Sequence, residues 1–368
     1  MDGGALIRAV MALSGGMDST GLLLSLLAQG YQITCISYNY GQKHAIEIDR
    51  AKLNIQYLSE NGISVEHKII DLKSAFYSFN SSLTSDMLDI PEGHYELEQM
   101  KSTVVPNRNA IFTSILYGHA LSISSTEDTE VAIALGVHSG DHAIYPDCRP
   151  EFYESLEKAF AMGNWGSERL SLKLPYLEEN KEFILRDSLK NCESLNLDFD
   201  TIFANTNTSY NPDERGRSSG TSGADVERIL AFHAIGRIDP VQYSNSWEEV
   251  LENAHKQQLR YFVMKRNGTE PPFSGEYDKH YMEGVYRCAD CGTPLFESES
   301  KFDSGCGWPA FSSELDEANI KQLKDKSHGM TRIEVRCSEC DSHLGHLFHE
   351  SMGPRYCINS ICLEFEGE

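Results

Sequence analysis

No stretch of this chain has the uninterrupted apolar length that a bilayer demands, and residues 1–30 lack a basic segment followed by an apolar core and a small-residue cleavage site. These absences argue against a helical membrane protein and a secretory leader, so no membrane partner and a cytoplasmic location are expected. Positive charge is also scarce. Lys and Arg number 32 against 55 Asp and Glu, a formal charge of -23. That excess repels a phosphate backbone, and no basic patch relieves it, so direct binding of duplex nucleic acid is not expected. Low-complexity tracts and internal repeats are missing too, while 40% hydrophobic and 24% charged residues are globular values. At 368 residues the chain exceeds the usual single domain, which predicts two units.

Cysteine is sparse in one region and crowded in another. Cys35, Cys148 and Cys192 are scattered through the first 245 residues, whereas seven of the ten fall in the last 81. In a reducing compartment that cluster reads as metal ligands and redox thiols, not as a disulfide framework. From residue 8, short apolar runs alternate with helix-periodic segments: Arg8–Leu13, Thr20–Gln29, Ile33–Tyr38, Ala45–Glu60, Val65–Leu72, then Asn109–Ser122, Glu130–Gly136, Pro150–Met162 and Leu172–Leu195. This βαβ rhythm predicts an α/β fold with a doubly wound parallel sheet and a ligand site at the carboxyl ends of its strands. The rhythm stops near Tyr243, after which Gly, Pro, Cys and aromatic residues predict a small, mainly-β, zinc-containing domain. The expected domains are residues 1–244 and 245–368.

Ser14-Gly15-Gly16-Met17-Asp18-Ser19 lies between an apolar strand and an apolar helix. Two glycines permit a tight turn, the serines add hydroxyl donors, and the helix presents its positive end, so the segment predicts a phosphate cradle. No Gly-Lys-Ser/Thr follows, which sets it apart from a Walker loop. It is similar to the SGGxDS loop of N-type ATP pyrophosphatases. Three further strings are Tyr40–His44 with Glu47, Val105-Pro106-Asn107-Arg108-Asn109, and Gly136–His142 continuing through Tyr145–Phe152. With them the first 243 residues resemble the QueC family of 7-cyano-7-deazaguanine synthases.

That resemblance implies ATP, with Mg²⁺, acting on 7-carboxy-7-deazaguanine or a related nucleobase, with ammonia or a macromolecular amine as acceptor. It places ATP and pyrophosphate at Ser14, Gly15, Gly16, Asp18, Ser19, Arg108 and Lys181. It places the deazaguanine at Lys43, Asp141, His142, Asp147 and Arg149, with the carboxylates Asp141 and Asp147 suited either to Mg²⁺ or to the base's ring donors. Cys148 reads as packing. One departure stands out. Where the family carries four zinc-binding cysteines, alignment puts Ser209, Ser219, Ser222 and Asp225, poor partners for a borderline-soft ion, so this half is expected to hold no zinc. Either hydrogen bonds hold the loop and the reaction persists, or the domain has diverged. A diverged domain would stop at the amide, or conjugate a deazaguanine to a protein or other amine as QueC-like proteins of anti-phage defence suggest, or survive as a nucleotide-binding scaffold. A homodimer is left open.

Cys288-Ala289-Asp290-Cys291 and Cys337-Ser338-Glu339-Cys340 are two C-x-x-C knuckles with 45 residues between them. Four thiolates at this spacing suit one tetrahedral Zn²⁺, whereas a redox site needs a single motif. Around them stand Thr269–Phe273, Lys301–Pro309, His343-Leu344-Gly345-His346 and Arg355-Tyr356-Cys357-Ile358-Asn359-Ser360. These strings resemble the methionine-(R)-sulfoxide reductases, MsrB, over about residues 246–368. The resemblance implies reduction of methionine-R-sulfoxide and a thioredoxin-like reductant. Cys357 is then the nucleophile, with a pKa expected to be lowered by Arg355 and the imidazoles, and Cys306 the resolving thiol. His343 and His346 would supply protons, Trp308 would face the S-methyl group, and Asn359 would hold a polar substrate group. Cys362 reads as packing.

Overall fold

The computed structural model describes residues 7–85, 87–88, 98–209, 213, 215–329, 331–351 and 353–367, and for Asp141, Ala143 and His328 their backbone only. The chain divides into two compact units, Met1–Ala254 and His255–Glu368.

In the first unit the elements run β1 (Arg8–Ala12), α1 (Met17–Ala28), β2 (Gln32–Asn39), α2 (Ile46–Glu60), β3 (Glu66–Asp71), α3 (Lys73–Phe76), α4 (Arg108–Glu127), β4 (Val131–Ala134), α5 (Pro150–Gly163), β5 (Leu170–Lys173), α6 (Lys181–Leu195), α7 (Phe199–Ala204) and α8 (Gly223–Ala234). The strands form one parallel sheet in the order β3-β2-β1-β4-β5. Alternate residues of β1 and its end feed opposite faces. Ala9, Met11 and Leu13 pack with α1, α2, α6, α7 and α8, whereas Val10 and Ala12 pack with α4 and α5. A strand buried on both faces reads as a continuous apolar run, and this is why β1 shows no polar alternation. Strand order reverses between β1 and β4, which opens a crevice above their carboxyl ends.

Helix α9 (Trp247–Arg266) contains the junction between units: Val250 and Ala254 belong to a first-unit cluster, Val263 and Met264 to the second-unit core. The second unit then runs β6 (Gly284–Cys288), β7 (Pro294–Glu297), β8 (Lys301–Phe302), β9 (Ala310–Phe311), β10 (Ile320–Asp325), β11 (Arg332–Cys337), β12 (His343–Glu350), β13 (Gly353–Ile358) and β14 (Leu363–Gly367). These make a six-stranded sheet, β10-β11-β12-β13-β9-β8, and a three-stranded sheet, β14-β6-β7, with antiparallel pairing throughout. Tyr286, Phe296, Phe311, Val335, Leu344 and Ile358 are buried between them, with Phe296 and Phe311 stacked at 4.3 Å. Among the described residues no helix is long and apolar enough to cross a membrane.

Candidate active sites

The first site lies at the strand-order reversal. Gly15 takes φ +94°, and a Cβ there would come within 1.9 Å of the Glu47 carbonyl oxygen, so only glycine lets the loop sit this close to the start of α2. The serine hydroxyls shape the loop: Ser14 N–H donates to Ser19 Oγ at 3.2 Å, and Gly16 N–H donates to Ser14 Oγ at 3.1 Å. Met17, Asp18 and Ser19 of the first turn of α1 line the crevice, and the amides of a first turn lack intrahelical acceptors, as an anion site requires. A cleft of about 220 Å³ is lined by Ser14, Gly16, Asp18, Ser19, Tyr40, Glu47, Arg108, His138 and Lys181, among others. Lys181, first residue of α6, donates to Asp18 Oδ2 at 3.2 Å, lies 3.1 Å from His138 Nε2 and 3.6 Å from Glu227 Oε2. Its neighbour Asn180 caps α6 by accepting from Phe183 N–H, which fixes where the lysine begins.

The loop expected to lack zinc is held by a buried carboxylate. Asp225 accepts from Ser222 Oγ at 2.8 Å, Ser218 Oγ at 2.5 Å and Ser209 Oγ at 3.3 Å, and it forms a capping box with Ser222 at the start of α8. Ser219, which the alignment placed at a ligand position, pairs with Thr221 Oγ1 at 2.9 Å; its neighbour Ser218 is the one turned toward Asp225. Next to this cluster the buried Arg228 is bound by Asp239 at 2.6 and 2.9 Å, by the hydroxyls of Thr206 and Thr208, and by the Phe203 carbonyl.

In the second unit the Cys306 and Cys357 sulfurs are 3.7 Å apart. Cys357 is on β13 directly opposite His346 on β12, and cross-strand partners share a face. His346 Nε2 lies 3.1 Å from Asp325, and His343 Nδ1 lies 2.7 Å from Glu334. Trp308 is fixed by its Nε1–H donating to the Glu270 carbonyl at 3.0 Å, and Arg355 by Glu350 at 2.8 Å and the Phe348 ring. Apart from these groups, the sulfurs of Cys288, Cys291, Cys337 and Cys340 all lie within 4.8 Å of one another. A tetrahedral zinc with bonds of about 2.3 Å separates its sulfurs by about 3.8 Å, so the four fit that ion. Both knuckles close the same way: Gly292 and Asp341, each just after the second cysteine, adopt φ 74° and 57°.

Residues 8–236 match the family model described as queuosine biosynthesis protein QueC, and residues 256–367 match the SelR domain. The chain belongs to the QueC family. The "7-cyano-7-deazaguanine synthase 2" of Colwellia psychrerythraea is 42% identical over 238 residues, covering 64% of this chain and 99% of that protein. The "7-cyano-7-deazaguanine synthase" of Hahella chejuensis is 41% identical, covering 65% and 94%. The alignments cover the QueC domain, and the SelR domain, that of methionine sulfoxide reductases, is an addition to it. Two enzyme domains are thus joined in one chain.

In the QueC domain the residues foreseen for ATP, Gly15 excepted, line one cleft, and those foreseen for the base are not among its lining residues. Lys43 points outward and donates to the Leu88 carbonyl at 2.5 Å, because His44 beside it turns inward. Arg149 donates to the His142 carbonyl at 2.9 Å, and Asp147 accepts from Asn109 N–H at 3.3 Å at the start of α4. The side chain of Asp141 lies outside the described residues. Cys148, buried, receives Asn109 Nδ2–H at 3.3 Å, a packing role. Groups to which the sequence assigned no role line the cleft: burial raises the Glu47 carboxyl to about 8 against the pull of Arg108, and burial and Arg108 lower His44 to about 3. His138 and Glu227, which flank Lys181, are equally new. They lie inside or beside the quoted strings, but nothing in one dimension says that those strings meet.

In the SelR domain burial and the neighbouring Cys306 sulfur raise the Cys357 thiol to about 12, against the pull of Arg355. The expected lowering is therefore not found at rest. Asn359 is buried, with Oδ1 accepting from Glu270 N–H at 3.1 Å and Nδ2 donating to the Leu344 carbonyl at 3.0 Å, so both of its polar atoms serve the backbone. Cys362, also buried, donates to the His343 carbonyl at 3.4 Å.

Proposed function

We propose that residues 1–244 activate the carboxylate of 7-carboxy-7-deazaguanine with ATP and convert it through the amide to the nitrile, while residues 245–368 reduce methionine-R-sulfoxide. The single cleft that joins the Ser14–Ser19 loop to Lys181 and Arg108 carries the first half. A carboxylate oxygen attacks the α-phosphorus and pyrophosphate leaves. Ammonia then displaces AMP to give the amide, and a second ATP removes the amide oxygen as AMP. Lys181 and Arg108 offset the charge that builds when two anions meet. Asp18 Oδ1, buried and lacking a hydrogen bond, is the oxygen that would hold Mg²⁺, which supplies charge neutralisation at the phosphates. The Asp225 cluster supports persistence of the family reaction, because the loop is held without thiolates.

The Cys357–Cys306 pair carries the second half. Cys357 attacks the sulfoxide sulfur, releases methionine and becomes a sulfenic acid. Cys306 condenses with it, expelling water, and a thioredoxin-like dithiol reduces the disulfide. Zinc held by Cys288, Cys291, Cys337 and Cys340 would supply a structural tie.

The test is mass spectrometry of products formed from ATP, Mg²⁺, 7-carboxy-7-deazaguanine and ammonia, with AMP and pyrophosphate followed in parallel. Nitrile with AMP is expected. Amide or adenylate alone would point to another acceptor, and no AMP would mean that the cleft only binds nucleotide.

A further inference from the structure

Besides the phosphate loop, the QueC cleft is lined by three aromatic rings and a carboxyl group that the reaction as drawn leaves unused: Tyr38, Tyr40, Phe112 and Glu47. Tyr38 stacks on Phe112 with centroids 4.0 Å apart, and Tyr40 meets the same ring at 5.5 Å. The buried Gln42 ties the rings to the carboxyl: it accepts from the Tyr40 N–H at 3.0 Å and donates to the Tyr38 carbonyl at 3.1 Å and to Glu47 Oε1 at 3.4 Å. Among the described residues no hydrogen bond reaches Glu47 Oε2. The backbone carbonyl of Glu47 abuts Gly15, so the residue stands beside the phosphate loop.

We infer that this corner of the cleft is the base subsite: the deazaguanine ring system packs against Tyr38, Tyr40 and Phe112, and Glu47 accepts its N1–H and 2-amino N–H donors. The inference rests on the nucleobase reading above and gives it a site, since the residues foreseen for the base are not among those that line the cleft. A carboxylate accepts only, and its two oxygens match two N–H groups side by side on the edge of a guanine-like ring. Adenine offers one donor and one acceptor on the corresponding edge, so the same carboxylate disfavours the base of ATP. Aromatic rings take any base by its face, and the carboxylate selects the edge.

The titratable groups that face Glu47 are His44 at 3.6 Å, Tyr40 at the end of β2 and Arg108 at the start of α4. Burial raises the Glu47 carboxyl to about 8, while Arg108 and the hydrogen bond from Gln42 pull it down; His44, lowered to about 3 by burial and Arg108, is neutral. Glu47 therefore carries its proton at about pH 7 before the base binds. Two N–H donors favour the anion, so binding of the base expels that proton.

The full chain with its zinc retained is titrated calorimetrically with 7-carboxy-7-deazaguanine at about pH 7, in buffers of different ionisation enthalpy. The unmutated chain should release most of one proton per base bound. Glu47→Gln should release none, with its Kd for the base raised about 10- to 100-fold and its KM for ATP within about twofold. Unchanged base affinity in that variant would overturn the assignment, and a rise in the KM for ATP instead would give the pocket to adenine and overturn it too. The unmutated chain supplies a test that needs no variant to fold: an analogue of the base lacking the 2-amino group should bind about 10-fold more weakly, and equal affinity would overturn the assignment. If the base binds with Glu47-dependent proton release but no AMP forms, the synthase reading fails and the site stands. If nitrile forms while variant and analogue bind normally, the site fails and that reading stands; a chain that neither binds the base nor forms AMP sinks both.

Discussion

Replacing Asp225 by alanine should destabilise the QueC domain by about 3–5 kcal/mol, a large part of a typical domain's margin. Asp225 is 1% exposed and collects the hydroxyls of Ser209, Ser218 and Ser222 as well as the Ser222 amide. Hydrogen bonds to a charged acceptor contribute about 1.5–3 kcal/mol each, but four that share one carboxylate are not additive. Alanine removes the acceptor, strands buried hydroxyls and breaks the capping box of α8, which by itself costs about 1 kcal/mol. Ser219→Ala is the internal control: among the described residues its hydroxyl binds Thr221 alone, so the change should stay within about 0.5 kcal/mol. Two domains make a single midpoint ill-defined, so urea unfolding is followed by hydrogen exchange of α8, and zinc release reports the SelR domain separately. Equal exchange protection in Asp225→Ala and the unmutated chain would refute the argument, and so would a second zinc ion in the purified protein.

Elemental analysis should give about one zinc per chain, and Cys291→Ser should remove it and unfold the SelR domain while AMP production continues. Cys306→Ser should release one equivalent of methionine and stop, leaving a sulfenic acid on Cys357 that a dimedone-type trap detects by mass. Lys181→Met should lower AMP formation by about 10²-fold or more, read as pyrophosphate release; retained turnover would remove the lysine from the mechanism. Glu47 has a folded pKa raised by burial to about 8, so the folded state holds its proton more tightly than the unfolded chain. Its contribution to stability is therefore lost as pH rises through the window from about 4.5 to about 8, and Glu47→Gln should flatten that slope by a few kcal/mol at most.

The sheet was legible because its central strand is buried on both faces and because glycine and asparagine end the helices where the rhythm breaks. The tight turn at Gly15 and the clustering of the knuckle cysteines were legible for a related reason: each is written in adjacent residues, and the local backbone does the rest. The base-binding set was harder to place. Lys43, Asp147 and Arg149 lie in family strings, yet Lys43 turns outward, Asp147 reaches the start of α4, and Arg149 binds a backbone carbonyl. A string shows that a segment is needed without showing which alternate residue of it faces the cleft. Glu334 was invisible for the opposite reason. It belongs to no short motif with His343, nine residues away, and only the β11–β12 pairing brings them together.

The oxygen-tied loop before α8 bears on more than the fit of a metal. Thiolates are what oxidants attack, and an exposed zinc–thiolate cluster can lose its metal when they do. In this chain the cysteines of the first unit, Cys35, Cys148 and Cys192, are all buried, and burial raises the thiol pKa of Cys35 and of Cys192, the latter to about 12. The loop before α8 is tied by oxygen atoms that have no comparable oxidation chemistry. The partly accessible thiols of the chain lie in the SelR domain, where the Cys306–Cys357 pair is half-buried with its sulfurs 3.7 Å apart. A QueC-family domain built this way is expected to keep its fold under oxidising conditions that attack exposed thiolates.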